Sequence, residues 1–176
     1  PTQAPRTQAH RPLYSPEERR RRDESPWTLV QGILAPLQFL VFLVSLYLVL
    51  DYLLTGEGYA VATGSIVVKT VVLYTIMITG AIWEKKVFGQ YLFAPAFYWE
   101  DVFSMLVLAL HTAYLVALFG DLLGEVGLMV LALAAYATYV INAGQFLLKL
   151  RAARLQSQAE TAPQPDSAPA TSPASR

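Results

Sequence analysis

Apolar residues along the chain fall into four long runs separated by short polar connections. Residues 29–50 carry no charged side chain, nor do 102–120 or 126–148, and 61–83 carry only Lys69. At 1.5 Å of rise per residue each run is long enough to cross a hydrocarbon core of about 30 Å. The pattern predicts an all-α, polytopic membrane protein: a bundle of four transmembrane helices at about 28–54, 61–83, 98–119 and 126–148. Two helix-start signals precede the first run. Ser15-Pro16-Glu17-Glu18 has Ser at N-cap, Pro at the first helical position and Glu at the third. Ser25-Pro26-Trp27 repeats the Ser-Pro signal and places Trp27 at interface depth. Pro36 is expected to kink the first span. The chain thus divides into a basic polar segment, 1–26, a four-helix domain, 27–150, and an Ala/Pro/Ser-rich tail, 151–176, that lacks the apolar surface to order itself. The first apolar run is too long for a cleavable signal peptide and follows 26 polar residues, so none is expected.

Composition agrees with this and excludes several function classes. Hydrophobic residues make up 55% of the chain, charged residues 15%, and mean hydropathy is +0.40. Soluble domains carry about 25% charge, so a soluble enzyme and a disordered protein are both excluded. There is no cysteine, hence no disulfide, thiolate nucleophile or Cys-ligated metal. The net charge of zero conceals an asymmetry. In the four-span arrangement, 12 of the 13 basic residues lie on one side: Arg6, Arg11, Arg19 to Arg22, Lys85, Lys86, Lys149, Arg151, Arg154 and Arg176. The opposite loops hold Glu57, Asp121 and Glu125. The positive-inside rule assigns the basic side, with both termini, to the cytoplasm.

The spans carry more polar groups than anchoring needs. Gln31, Gln38, Ser45 and Tyr52 recur every seven residues along the first, and Lys69 sits in the second. Glu100, Ser104 and His111 share a face of the third, as do Thr138, Asn142 and Gln145 of the fourth. Rise per residue places Lys69 and His111 at one depth, about 12 Å below the outer surface. Glu84, Glu100, Asp101, Gln31, Asn142 and Gln145 lie nearer the basic end. Two polar levels are therefore expected. Each group has a structural alternative. Amides and hydroxyls glue helices together, Asp101 suits a helix N-terminus, Lys69 can snorkel outward to pair with Asp51, and a lone His is often a helix–helix hydrogen bonder. Lys85 and Lys86 suit topology and headgroup contacts. Eight of the 21 aromatic residues fall within 83–103, among them Trp83, Phe97 and Trp99. They fit an interfacial belt, or a wall for a large flat ligand beside the carboxylates.

Several stretches then resemble one family. Trp83-Glu84-Lys85, Phe88-Gly89, the run Leu92-Phe93-Ala94-Pro95-Ala96-Phe97-Tyr98-Trp99-Glu100-Asp101, Ser104-Met105 and Leu110-His111-Thr112 resemble the 3-vinyl bacteriochlorophyllide hydratases. So do Leu13 to Arg19, Gln31 to Phe39 and Asn142 to Phe146, and the likeness covers about residues 13–155. It implies a hydro-lyase of bacteriochlorophyll biosynthesis, multi-pass in the inner or intracytoplasmic photosynthetic membrane. Such an enzyme adds water to the C3-vinyl group of chlorophyllide a or its 3-vinyl bacteriochlorophyllide counterpart, giving the 3-(1-hydroxyethyl) product. The partners expected are the tetrapyrrole, the lipid bilayer and other enzymes of the pathway, and no nucleic acid.

Hydration of such a vinyl group needs an acid, a held water and a base. It requires neither redox cofactor nor metal, and Gly56-Glu57-Gly58 is too short to cradle a phosphate. Glu100 and Glu84 are the expected acid–base pair, Glu100 as the acid if it faces the apolar interior, with Asp101 as substitute or orienting partner. Gln38, Asn142 or Gln145 are candidates to position the water. Trp83, Trp99 and Phe97 are candidates to line the pigment site, and His111 to ligate the pigment's magnesium. Basic residues at the same face are candidates to pair with its propionate. Two non-hydratase readings stand beside this one: an assembly or pigment-handling subunit without catalysis, and a quinone- or haem-handling redox subunit. The second usually requires paired histidines, and only His10 and His111 exist.

Overall fold

The computed structural model describes residues 12–161. Arg6, Arg11, His10, Arg176 and the part of the tail beyond 161 lie outside the described residues. Five α-helices follow one another: α1 (Pro16–Glu24), α2 (Pro26–Thr55), α3 (Tyr59–Phe88), α4 (Tyr98–Phe119) and α5 (Glu125–Thr161). The last four each contain a stretch long and apolar enough to cross a membrane.

Local chemistry sets the boundaries. Ser15 caps α1 reciprocally with Glu18: the Glu18 N–H donates to Ser15 Oγ (3.2 Å), and the Ser15 N–H donates to Glu18 Oε2 (2.7 Å). Pro26 opens α2, although Ser25 makes no side-chain cap. The helix continues through Pro36. Gly89, at φ 86°, ends α3 in the left-handed conformation a glycine adopts without penalty. Lys85 Nζ donates to the Gly89 carbonyl (2.7 Å), so this lysine caps a helix end. Two helices outrun the apolar segments that announced them. α3 extends to Phe88, past the expected limit of 83, and α5 runs to Thr161, into the stretch assigned to the tail. Hydropathy marks the reach of hydrocarbon, whereas a helix ends where its backbone bonds are capped.

The four long helices form an up-down-up-down ring. α2 packs on α3, α3 on α4, α4 on α5, and α5 closes on α2. Side-chain contacts fix the antiparallel register of α2 and α3: Trp83 Nε1 donates to Thr28 Oγ1 (2.9 Å), Gln31 Nε2 to Thr79 Oγ1 (2.7 Å), and Ser45 Oγ meets Ser65 Oγ (2.7 Å). At the far end, the Tyr52 hydroxyl donates to Glu125 Oε2 (2.6 Å), tying α2 to the start of α5. Short α1 lies against α3, anchored by Tyr14, which stacks on Phe88 (5.8 Å) and lies under the Arg22 guanidinium (4.7 Å). Burial pushes the Tyr14 hydroxyl up from its usual pKa, although Arg22 opposes this.

The bundle is apolar outside and polar within. Leu29, Leu40, Tyr47, Leu54, Ile78, Phe119 and Leu147 are exposed. Gln38, Ser45, Lys69, Thr70, Ser104, His111 and Asn142 are buried. That distribution suits a lipid solvent.

Ser15→Ala removes the side-chain half of the α1 capping box and is expected to cost about 0.5–2 kcal/mol of helix stability. Limited trypsin digestion of the solubilised protein checks this: cleavage in Arg19 to Arg22 should accelerate, with the four-helix domain left intact.

Candidate active site

Glu84 ends the last turns of α3, and Glu100 and Asp101 open α4. All three carboxyl groups are buried at the end of the bundle that carries the basic residues. Adjacent positions on a helix point about 100° apart, so Glu100 and Asp101 face different neighbours. Glu100 turns to α5, where Lys149 Nζ donates to its Oε2 at 2.6 Å. Asp101 turns to α3, where its carboxyl group is in hydrogen-bonding contact with that of Glu84. Two carboxylates this close repel one another when both are ionised, so the contact favours one proton shared between them.

The connection 89–97 is folded around the pair. The Phe93 N–H donates to Asp101 Oδ2 (2.7 Å), and the Ala94 N–H to Glu84 Oε2 (3.4 Å). Phe93 sits at φ 60°, a left-handed conformation costing a non-glycine residue about 1–3 kcal/mol. The Asp101 bond is one of the contacts that hold it there. The residues named from the sequence as acid and base, Glu100 and Glu84, have different neighbours. Asp101, named as substitute or orienting partner, is the residue in contact with Glu84, and Glu100 Oε2 is bonded to Lys149.

The aromatic wall also differs from the expectation. Tyr14, Phe88, Phe97, Trp83 and Phe146 pack on one another, with centroids 5.8–6.3 Å apart, so they fill the space beside the carboxylates instead of lining a slot. Trp83 bonds to Thr28, and Trp99 is 66% exposed. Two hollows are present among the described residues. One, about 230 Å³, is lined by Pro12, Tyr14, Pro16 and Arg19; the other, about 280 Å³, by Leu40, Val41, Val44, Ser65 and Val68. Both fall below the roughly 300–1,000 Å³ of drug-sized ligand sites.

One helical turn inward from Asp101, Ser104 Oγ accepts from Asn142 Nδ2 (2.9 Å). Gln145 lies a turn from Asn142 toward the basic end, half-buried, and its Oε1 has no hydrogen-bond partner among the described residues. Deeper still, Lys69 and His111 are at one depth, as rise per residue indicated, and in contact. Nδ1 of His111 faces the Val107 carbonyl (2.8 Å) and donates to it, so Nε2 accepts from Lys69 Nζ (3.0 Å). Both ring nitrogens of His111 are engaged inside the bundle. Lys69 does not snorkel toward Asp51. It is fully buried, with Nζ 4.2 Å from the Tyr139 ring centre and 5.1 Å from that of Tyr136, and these cation–π contacts replace water. The sequence held a signal for this cage, Tyr136 and Tyr139 at the depth of Lys69, that the reading of polar stripes alone missed.

The family model described as 2-vinyl bacteriochlorophyllide hydratase matches residues 14–152. This chain belongs to that family. A 2-vinyl bacteriochlorophyllide hydratase of Cereibacter sphaeroides is 73% identical over 151 residues, covering 85% of this chain and 93% of the relative. One of Rhodobacter capsulatus is 67% identical over 159 residues, covering 90% and 92%. No solved structure matches the chain significantly. The 2-vinyl and 3-vinyl labels differ only in naming, so the family resemblance read from the sequence holds. The hydratase family match spans all three carboxylates, the Lys69–His111 pair and both amides, Gln38 and Asn142.

Lys149→Met leaves the Glu100 carboxyl group buried without its cation and is expected to cost on the order of 1–3 kcal/mol. Adding Glu100→Gln should recover most of that loss. Thermal unfolding of the two variants in detergent checks the coupling; equal melting temperatures for Lys149→Met and the parent would refute it.

Proposed function

We propose that this chain is a membrane-embedded hydratase that adds water to the vinyl group of a bacteriochlorophyllide-type pigment, with Glu84 and Asp101 exchanging the protons. The observation that carries the reading is the contact between these two buried carboxyl groups. It is supported by a chain that is 73% identical to a relative named for this hydration.

The chemistry balances with these two residues. The proton held by the pair goes to the terminal vinyl carbon, breaking the alkene π bond and leaving a cation at the inner carbon, delocalised into the macrocycle. Water forms a C–O bond to that inner carbon and gives up a proton. The pair, now lacking one proton, takes it and is restored. The net change is the addition of one water, with no oxidant or reductant. A buried pair suits this role because it donates and accepts at nearly the same point, as the two ends of a vinyl group require. The Lys149–Glu100 ion pair beside it stiffens the start of α4 and so fixes the direction of Asp101.

In the four-span arrangement this end carries 12 of the 13 basic residues, all but Lys69, and positive-inside bias assigns it to the cytoplasm. Both termini then lie in the cytoplasm, and the acid pair sits where a lipid-dissolved pigment meets cytoplasmic water. The membrane is the inner or intracytoplasmic membrane of a photosynthetic bacterium. Entry of a macrocycle requires the Tyr14–Phe88–Phe97–Phe146 packing to part, and α1 with Tyr14 is the short, peripheral element able to move.

Purified protein incubated with chlorophyllide a should yield a product heavier by one water. In deuterium oxide the new methyl group should carry one deuterium that does not wash out. Glu84→Gln and Asp101→Asn should each lower kcat by about 10²–10⁴-fold while the protein remains in the membrane. Normal turnover in both variants would refute the acid–base assignment. Pigment binding without a water adduct would favour a pigment-handling role.

A further inference from the structure

The heptad stripe on α2 contains one anomaly. Gln31 is bonded to Thr79, Ser45 to Ser65 and Tyr136, and Tyr52 to Glu125. Gln38, on the same stripe, is 2% exposed, and neither its Nε2 nor its Oε1 has a hydrogen-bond partner among the described residues. Primary amides glue helices when they bond across an interface; this one bonds to nothing among the described residues. Asn142 on α5 shows half of the same feature. Its Nδ2 is committed to Ser104, while its Oδ1 is buried without a partner.

The two amides occupy one level. Phe42, one turn along α2 from Gln38, is in ring contact with Tyr139 of α5, with centroids 4.9 Å apart. Tyr139 is about one turn from Asn142. Because α2 and α5 run antiparallel, stepping from Phe42 back to Gln38 and from Tyr139 on to Asn142 moves toward the same end, by about 4.5–6 Å in each case. That end is the one with the carboxylates. Ser104, which holds Asn142, lies one turn from Asp101 on α4. The unpartnered groups are two carbonyl oxygens and one NH2. A water molecule is their complement, because it donates two hydrogen bonds, accepts others and typically makes about three when buried.

We propose that Gln38 and Asn142 form the seat of a single water molecule, one helical turn inward from the Glu84–Asp101 pair, and that this is the water added to the vinyl group. The two carbonyl oxygens accept its hydrogens, and Gln38 Nε2 donates to its oxygen, leaving a lone pair for the inner vinyl carbon. As the C–O bond forms, the hydrogen held by Asn142 Oδ1 is released from it and passes as a proton to the carboxyl pair, which has just given one to the terminal vinyl carbon. The inference rests on the hydratase reading for the fate of the water, though not for its presence.

Gln38→Met keeps the length of the side chain and removes its hydrogen-bonding atoms; Asn142→Leu does the same on the facing helix. With full-length protein in detergent and chlorophyllide a as substrate, each should lower kcat by about 100-fold, leave KM for the pigment within about twofold of the parent, and move the ratio of the two alcohol epimers toward equality. A merely structural amide would not alter the epimer ratio. Infrared difference spectra between D₂O and D₂¹⁸O should show an isotope-sensitive O–D band of a held water in the parent, absent from Gln38→Met. Parental kcat and epimer ratio in both variants, or persistence of that band in Gln38→Met, overturns the proposal. If the parent shows the band and yields no water adduct, the hydratase reading fails and the seat stands; an adduct from a parent without the band sinks the seat alone.

Discussion

A polar group in a bilayer's hydrocarbon has no water to turn to, so it must find its partner on another helix. This constraint orients every helix of the bundle. Leucine, valine and phenylalanine cover the outside, while serine, lysine, histidine and amide side chains face inward. Gln31, Ser45 and Tyr52 bind α2 to α3 and α5 along its whole length, and their spacing of seven keeps one stripe facing the interior. Once that stripe is fixed, so are the depths of everything opposite it.

The acid pair follows from the same requirement. Glu84, Glu100 and Asp101 are too deep to remain unpaired, and the ring order of the helices offers two solutions, one on each side of α4. Lys149 of α5 takes Glu100, and Glu84 of α3 takes Asp101. The connection between α3 and α4 then bends to supply backbone N–H groups, at the cost of a left-handed Phe93. The arrangement so assembled joins two carboxyl groups and a loop in one unit. The deeper Lys69–His111 contact, caged by Tyr136 and Tyr139, is a separate solution to the same problem and stiffens the middle of the bundle.

Much of this was legible in the chain. The four spans, both Ser-Pro helix starts and the shared depth of Lys69 and His111 can all be read from residue type and spacing, and the family from its resemblance. Such features depend on local chemistry or on a single helix. The aromatic residues of 83–103 were legible as a cluster, yet their packing against one another was not, because nothing in a sequence says whether rings meet a ligand or each other. Helix length was legible only in part, since α3 and α5 extend past the hydrocarbon limit that hydropathy registers.

The sequence by itself determined how many times the chain crosses, which end gathers the cations and at what depth each polar side chain lies, because rise per residue and transfer cost act along one helix. Only the tertiary structure decided who meets whom: Asp101 with Glu84, Glu100 with Lys149, His111 with Lys69, and Gln38 with no hydrogen-bond partner among the described residues. Those choices turn on the rotation of each helix about its axis and on its neighbours in the ring, and neither quantity is encoded in any one segment.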